Sequence, residues 1–156
     1  MTDENWVCYL IKSTDSNKTY IGATNNLQRR LNDHCGINGS SKGAKYTKGE
    51  MWYVVLFVSG FQNKRECLSF EYQFKKIKYN KEDLTIFNLN YFPNSDRVYK
   101  RIADLYRLIL RNKKNHKWDK DIITIHIMET DYINPNKLIQ DLNIQSCEGY
   151  LSLGFL

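Results

Sequence analysis

The chain predicts an α/β protein of the α+β kind, a small central antiparallel sheet of about three strands flanked by helices, and three kinds of segment carry that reading. Trp6 to Ile11 and Thr19 to Ala23 are rich in aromatic and β-branched residues, and the turn chemistry of Asp15-Ser16-Asn17 between them makes a hairpin. Met51 to Gly60 is a nearly continuous apolar run of strand length, as expected for a central strand covered on both faces. Apolar residues at helical spacing recur from Asn26 to Cys35, from Lys64 to about Tyr79, and from Asp96 to Lys113.

On the first of these helices, residues four apart share a face, so Arg30 and His34 point the same way beside the apolar pair Leu27 and Leu31. Arg29 turns roughly a quarter turn or more away, which makes Arg30 the site candidate. A Gly/Ser-rich loop follows from Gly36 to Gly49, punctuated by Lys42, Lys45 and Lys48, and its glycines make it pliable enough to approach a ligand closely. Asn63 is a natural N-cap for the second helix, with Glu66 three residues on as a capping-box partner. Along that helix Cys67, Phe70, Phe74 and Ile77 form one apolar stripe, and Leu68 with Tyr72 is expected to widen it. Glu71 then falls inside an apolar arc, where a carboxylate needs a partner. Helical position leaves an ion pair, for instance with Lys75, and a metal ion equally open.

The stretch from Lys81 to Ser95 is polar, Asn-rich and interrupted by Pro93, and reads as an irregular crossing. It precedes a strongly periodic helix with Val98, Ile102, Leu105 and Ile109 on its packing face. Asp121 to Met128 alternates like a strand and leaves His126 on a different face from Ile125 and Ile127, a structural rather than catalytic position. A short helix from Pro135 to Leu142 and an apolar ending from Tyr150 to Leu156, folding back onto the domain, complete the expectation. The organisation is a first unit over residues 1–95 and a helix-strand extension over 96–156.

At 156 residues with 42% apolar content the chain can bury one real core, and its composition excludes wholesale disorder. No apolar run approaches membrane-spanning length, and the start Met1-Thr2-Asp3-Glu4-Asn5 lacks the pattern of a secretory signal, so an intracellular location is expected. Cys8, Cys35, Cys67 and Cys147 lie far apart with no Cys-x-x-Cys pair, which argues against a disulfide framework and a four-ligand zinc module. Cys35 beside His34 makes a poor nucleophile pair, because helix neighbours point about 100° apart. A net charge of +6 and a pI near 9.1 suit a polyanionic partner. Basic residues cluster in the glycine loop, at Lys75, Lys76, Lys78 and Lys81, and at Arg107, Arg111, Lys113 and Lys114, which favours nucleic acid over a membrane.

Taken in order, Val7-Cys8-Tyr9, Tyr20-Ile21-Gly22, Arg30, His34 and Glu71 resemble the signature of the GIY-YIG nuclease superfamily. The first triplet departs from Gly-Ile-Tyr but keeps its tyrosine. Thr19 to Thr24, Gly43 to Thr47, and the stretch from Trp52 through Ser69-Phe70-Glu71-Tyr72 are similar to the catalytic subunit of the eukaryotic SLX-type structure-selective endonuclease, as is the helix Asp96 to Lys113 followed by Trp118 and a strand. The resemblance covers about the first 130 residues.

It implies phosphodiester hydrolysis with one divalent cation, Mg²⁺ or Mn²⁺, held by Glu71. Tyr9 would act as general base on the attacking water, with Tyr20 beside it, and Arg30 would stabilise charge on the phosphorus. His34 would orient Tyr20 or contact the phosphate. Arg29, Lys42, Lys45 and Lys48 would contact the DNA backbone. Shape recognition of branched or flap DNA is expected, since nothing resembles a base-reading helix-turn-helix or zinc finger. The alternative is a nucleic-acid-binding module of the same fold that is inactive or waits for a partner. That branch of the family meets its scaffold through a RING-type zinc domain, and the cysteines here do not supply one, so no such contact is expected.

Overall fold

The computed structural model describes residues 5–39, 41–78, 97–114, 123–129 and 151–155. Strand β1 (Val7–Ser13) and strand β2 (Thr19–Thr24) pair antiparallel as the expected hairpin, and both run slightly further than the sequence suggests. Helix α1 (Leu27–Cys35) leads through two single 3₁₀ turns, Ile37–Gly39 and Lys45–Thr47, into strand β3 (Trp52–Ser59). Helix α2 (Lys64–Lys76), helix α3 (Arg97–Lys114), strand β4 (Ile123–Ile127) and strand β5 (Leu151–Phe155) follow.

The sheet runs β2-β1-β3-β4-β5. Its first four strands are antiparallel, and β5 joins the edge parallel to β4, so the apolar ending does fold back. The three strands expected from the first half of the chain are thus extended by two from the second. The expected crossing over 81–95 and the helix over 135–142 lie outside the described residues.

Two apolar clusters cover the two faces of the sheet. On one, Cys8, Leu10, Ile21, Val55 and Val58 meet Cys67, Phe70 and Phe74 of α2 and Val98, Ile102, Leu105 and Ile109 of α3, all buried. On the other, Tyr9, Ile11 and Trp52 are covered by Leu27, Leu31 and Cys35 of α1. A one-residue irregularity sets this division. Leu10 pairs with Leu56 but Ile11 pairs with Val54, which leaves Val55 as an extra residue on β3. Side chains alternate faces along a strand, so without the bulge Phe57 and Trp52 would lie on opposite sides. With it both belong to the Tyr9 cluster.

Asn63 caps α2 as expected, its side chain accepting the Glu66 N–H at 2.9 Å. The reciprocal bond is displaced by one residue, since the Glu66 carboxylate accepts the Gln62 N–H at 3.0 Å. The helix ends at Lys76 rather than near Tyr79, because Ile77 turns extended (φ −66°, ψ 146°) and buries its side chain. A second correction concerns the helix's width of apolar contact. Leu68 and Tyr72 are exposed, at 42% and 65%, and Lys76 lies over the Tyr72 ring instead of core atoms. Leu68 is turned about 100° from Cys67, and Tyr72 about 160° from Phe70 and Phe74, so both point away from the buried stripe. Glu71 consequently sits at the margin of the buried stripe and not in its middle. We expect Leu68→Gln to change stability by less than about 0.5 kcal/mol, whereas Phe74→Ala should cost about 3–5 kcal/mol, both read from urea unfolding midpoints.

Candidate active site

Helix α1 brings two of the predicted residues to the sheet. Asn26 starts it, accepting the Arg29 N–H at 3.1 Å, and Gly36 ends it in the left-handed region (φ 69°), returning N–H bonds to the last turn. Between these caps His34 is buried, Arg30 is half-buried, and Arg29 is exposed with its guanidinium on Asn25 Oδ1 at 3.3 Å. The helical phasing that separates Arg30 from Arg29 is therefore realised.

Tyr9 lies at the middle of β1, 1% exposed, and its hydroxyl sits 2.8 Å from His34 Nε2. The direction of that bond follows from its neighbours. The Thr47 hydroxyl has one hydrogen and donates it to the Ala44 carbonyl at 2.9 Å. Thr47 Oγ1 must then accept the bond it makes with His34 Nδ1 at 2.9 Å, so Nδ1 carries the proton. Burial first, and then the charge of Arg30, lower the His34 pKa to about 4, so the ring is neutral and Nε2 is a bare acceptor. Tyr9 therefore donates to His34. Burial also pushes the Tyr9 phenol well above its ordinary value, an effect that the facing Arg30 guanidinium opposes.

The rings are crowded around this bond. Tyr20 lies 4.9 Å from the His34 ring and 6.4 Å from the Tyr9 ring, centroid to centroid. The hydrogen bonds of His34 go to Tyr9 and Thr47, while its contact with Tyr20 is ring to ring. Opposite Tyr9 on β2 stands Gly22, and a Cβ there would meet the Tyr9 Oη at 2.3 Å. The phenol thus occupies the space that any side chain at position 22 would need.

The glycine loop is less pliable than its composition suggests. Arg30 Nη1 donates to the Lys42 carbonyl at 2.8 Å, and a Cβ on Gly43 would come within 2.5 Å of the Asp33 carbonyl oxygen. Trp52 Nε1 donates to the Thr47 carbonyl at 3.0 Å, which holds the threonine under His34. Lys42, Lys45 and Lys48 are exposed along this fastened loop. Cys35 is committed to structure, its sulfur accepting the Trp52 N–H at 3.3 Å and facing the Trp52 carbonyl at 3.5 Å. The buried Cys8 and Cys67 thiols are both pushed up by burial, Cys67 to about 12, and are inert at neutral pH. His126 stands apart on β4, bonded to Ser59 at 2.7 Å and stacked on Phe57 at 4.3 Å.

Glu71 has the ion-pair partner that its helical position offers: Lys75 Nζ lies 2.7 Å from its carboxylate. Lys75 is also 5.6 Å from the centre of the Tyr20 ring, reaching past the edge strand β2 to the face that carries Tyr9. The charge of Glu71 is felt at Tyr9, where it works against the phenolate. Among the described residues no group of three His, Cys, Asp or Glu side chains converges as a ready-made cage. A lone carboxylate with oxygen donors suits a hard cation that keeps most of its waters, and it does not suit zinc. Sequence reasoning passed over Thr47, whose role depends on loop closure, and had Lys75 as a candidate ion-pair partner and as part of a basic cluster.

The buried Tyr9–His34 hydrogen bond thus lies within electrostatic reach of the half-buried Arg30 and of the Glu71 carboxylate. Residues 5–83, half of the chain, match the GIY-YIG catalytic domain. The chain belongs to the GIY-YIG family, and the matched part is the family's catalytic domain. Nucleases of this family depend on a divalent metal. The chain is 53% identical over 110 residues to an uncharacterized protein L300 of Acanthamoeba polyphaga mimivirus, covering 65% of each chain. It is 38% identical over 86 residues to the UPF0213 protein YazA of Bacillus subtilis, covering 55% of this chain and 82% of that one. Against the structure-specific endonuclease subunit SLX1 of Vanderwaltozyma polyspora it is 36% identical over 99 residues, 61% of this chain and 28% of that subunit. The chain thus spans under two thirds of the viral relative and about a quarter of the yeast one. Among the described residues no helix is long and apolar enough to cross a membrane.

Two outcomes are expected. Gly22→Ala should cost about 1–3 kcal/mol by overpacking against Tyr9, read from a chemical melt. His34 binds its proton less readily folded than unfolded, so its contribution to stability is full above pH 6.5 and is lost as pH falls toward 4, a change of order 3 kcal/mol. His34→Gln should flatten that slope in melting temperatures measured from pH 7 to pH 4.

Proposed function

We propose that this chain is an endonuclease that hydrolyses phosphodiester bonds in branched or flap DNA, serving repair, recombination or replication, with Mg²⁺ or Mn²⁺ as its cation. The buried chain of hydrogen bonds from Tyr9 through His34 to Thr47, with Arg30 alongside, carries the reading. It is a directed proton path that a structural core does not need.

Tyr9 is the general base. A phenol with a raised pKa cannot wait as phenolate, so it takes a proton from the attacking water while passing its own to His34 Nε2. Burial, and after it the charge of Arg30, make His34 a weak acceptor. A phosphate beside Arg30 would offset the second of these causes and raise the basicity of His34 in part. Thr47 holds the ring in the required tautomer. Arg30 presents a planar fork of donors to the phosphoryl oxygens. Glu71 holds the cation, and Lys75 compensates the carboxylate's charge in its absence. A bound divalent ion supplies neutralisation of the charge that develops on the phosphate. Tyr20 packs against both Tyr9 and His34 and fixes their rings. Arg29, Lys42, Lys45 and Lys48, all exposed, contact the DNA backbone on either side. The similarity to SLX1 subunits supports the branched substrate, and the similarity to a mimivirus protein supports a large DNA virus as source.

The test is incubation of labelled flap, fork, four-way-junction and linear duplex DNA with Mg²⁺. Cleavage of the branched forms is expected, and a clean protein that cuts none of them, alone or with candidate partners, would leave a binding module. Glu71→Gln should abolish cleavage while binding stays within a few-fold. Arg30→Ala should lower turnover by roughly 10²–10³, and Arg29→Ala by far less; equal losses would refute the assignment of faces on α1.

A further inference from the structure

Beside the catalytic centre, on the outer side of edge strand β2, lies a cleft of about 500 Å³ that shares Tyr20 and Lys75 with that centre. Its floor is β2 around Tyr20, one wall is the end of α2 with Lys75 and Lys78, and the other is the first turn of α3 with Arg97, Lys100 and Arg101. Among the described residues five cations line it against one acid, Asp104, which is buried and stands 3.8 Å from Arg101. Among the described residues no carboxylate pairs with Lys78, Arg97 or Lys100. The α3 wall lies outside the matched family domain, which ends at residue 83.

The cleft also has an aromatic rim. Tyr46 is 44% exposed and lies nearly parallel to Tyr20, at 6.5 Å between centroids and 26° between planes. Lys18 sits 5.0 Å from the centre of the Tyr46 ring. A flat exposed ring continued by a row of cations is the combination that holds unpaired nucleic acid, because the ring takes a base and the cations take its phosphates. The volume is that of a small-molecule pocket, room for a nucleotide or so of one strand rather than for a duplex.

We propose that this cleft seats an unpaired strand next to the scissile phosphate, with a base on Tyr46 and flanking phosphates on Lys78, Arg97, Lys100 and Arg101. The proposal rests on the reading of the Tyr9–Glu71 centre as a nuclease site, and it gives that site a reason to prefer DNA with a single-stranded arm. Duplex on the other side of the cut is left to the glycine loop.

Binding of a fluorescent twelve-residue oligothymidylate, measured by anisotropy in EDTA across a salt series, tests the cleft without catalysis. The double variant Arg97→Ala, Lys100→Ala changes two exposed side chains and should lose about tenfold in affinity, with its salt slope reduced by about 1.4 for two phosphate contacts on a single strand. Its affinity for blunt linear duplex should stay within twofold of wild type. Tyr46→Ala should weaken the oligonucleotide by about 5-fold or more, and Tyr46→Phe should restore it. Equal losses for oligonucleotide and duplex, or no loss for either, would overturn the proposal. If the wild type cuts no DNA yet these binding differences hold, the nuclease reading fails and the strand seat stands; if it cuts flaps and the double variant binds and cuts them equally well, the seat fails and the nuclease stands.

Discussion

The hydrogen bond from Tyr9 to His34 joins the centre of the sheet to the helix that covers it, and much of the surrounding structure exists to keep it in place. It is buried, so both partners lose water, and an unmet donor or acceptor there would cost more than the bond returns. Gly22 leaves room for the phenol, and Thr47 supplies the second partner of the imidazole. Trp52 fixes Thr47, and Trp52 faces the site only because the extra residue Val55 re-phases β3. A bulge in the third strand thereby determines which way a histidine on the first helix carries its proton.

Electrostatics around that bond are held in tension. Burial and Arg30 both keep His34 neutral, while burial and Glu71 keep Tyr9 protonated against the pull of Arg30. The resting site therefore stores its protons on the phenol and on Nδ1, and neither leaves easily. Among the described residues the Arg30 guanidinium stands 3.9 Å from the Asp33 carboxylate and donates to the Lys42 carbonyl at 2.8 Å. Glu71 is balanced by Lys75, so the site carries no uncompensated buried carboxylate.

Tyr9 stands on β1, one strand in from the edge strand β2 that carries Tyr20. Edge strand β2 lies between two basic surfaces, the fastened lysine loop on one side and the α2–α3 cleft on the other. The second surface draws on a helix outside the matched catalytic domain, and that helix packs through Val98, Ile102, Leu105 and Ile109 into the same core as α2. Its cationic first turn is consequently held at a set distance from Tyr20 rather than carried on a separate body.

Local pattern was enough for the hairpin, the three helices, the Asn63 cap and the sharing of a face by Arg30 and His34, because each depends on neighbours within a few residues. Order along the chain, from Tyr9 to Glu71, was enough for the family. Other features depended on contacts that periodicity does not encode. Leu68 and Tyr72 looked like core and are exposed, since their positions on α2 turn them away from the stripe of Cys67, Phe70 and Phe74. The glycine loop looked pliable and is fastened, since Arg30 and Trp52 reach it from distant positions. The partner of His34 proved to be Tyr9, 25 residues away on another element. The sequence by itself determined which residues could do proton and phosphate chemistry and which helix face would show them. Only the tertiary structure decided the direction of the proton path, because it rests on Thr47 having a single hydrogen already committed to Ala44.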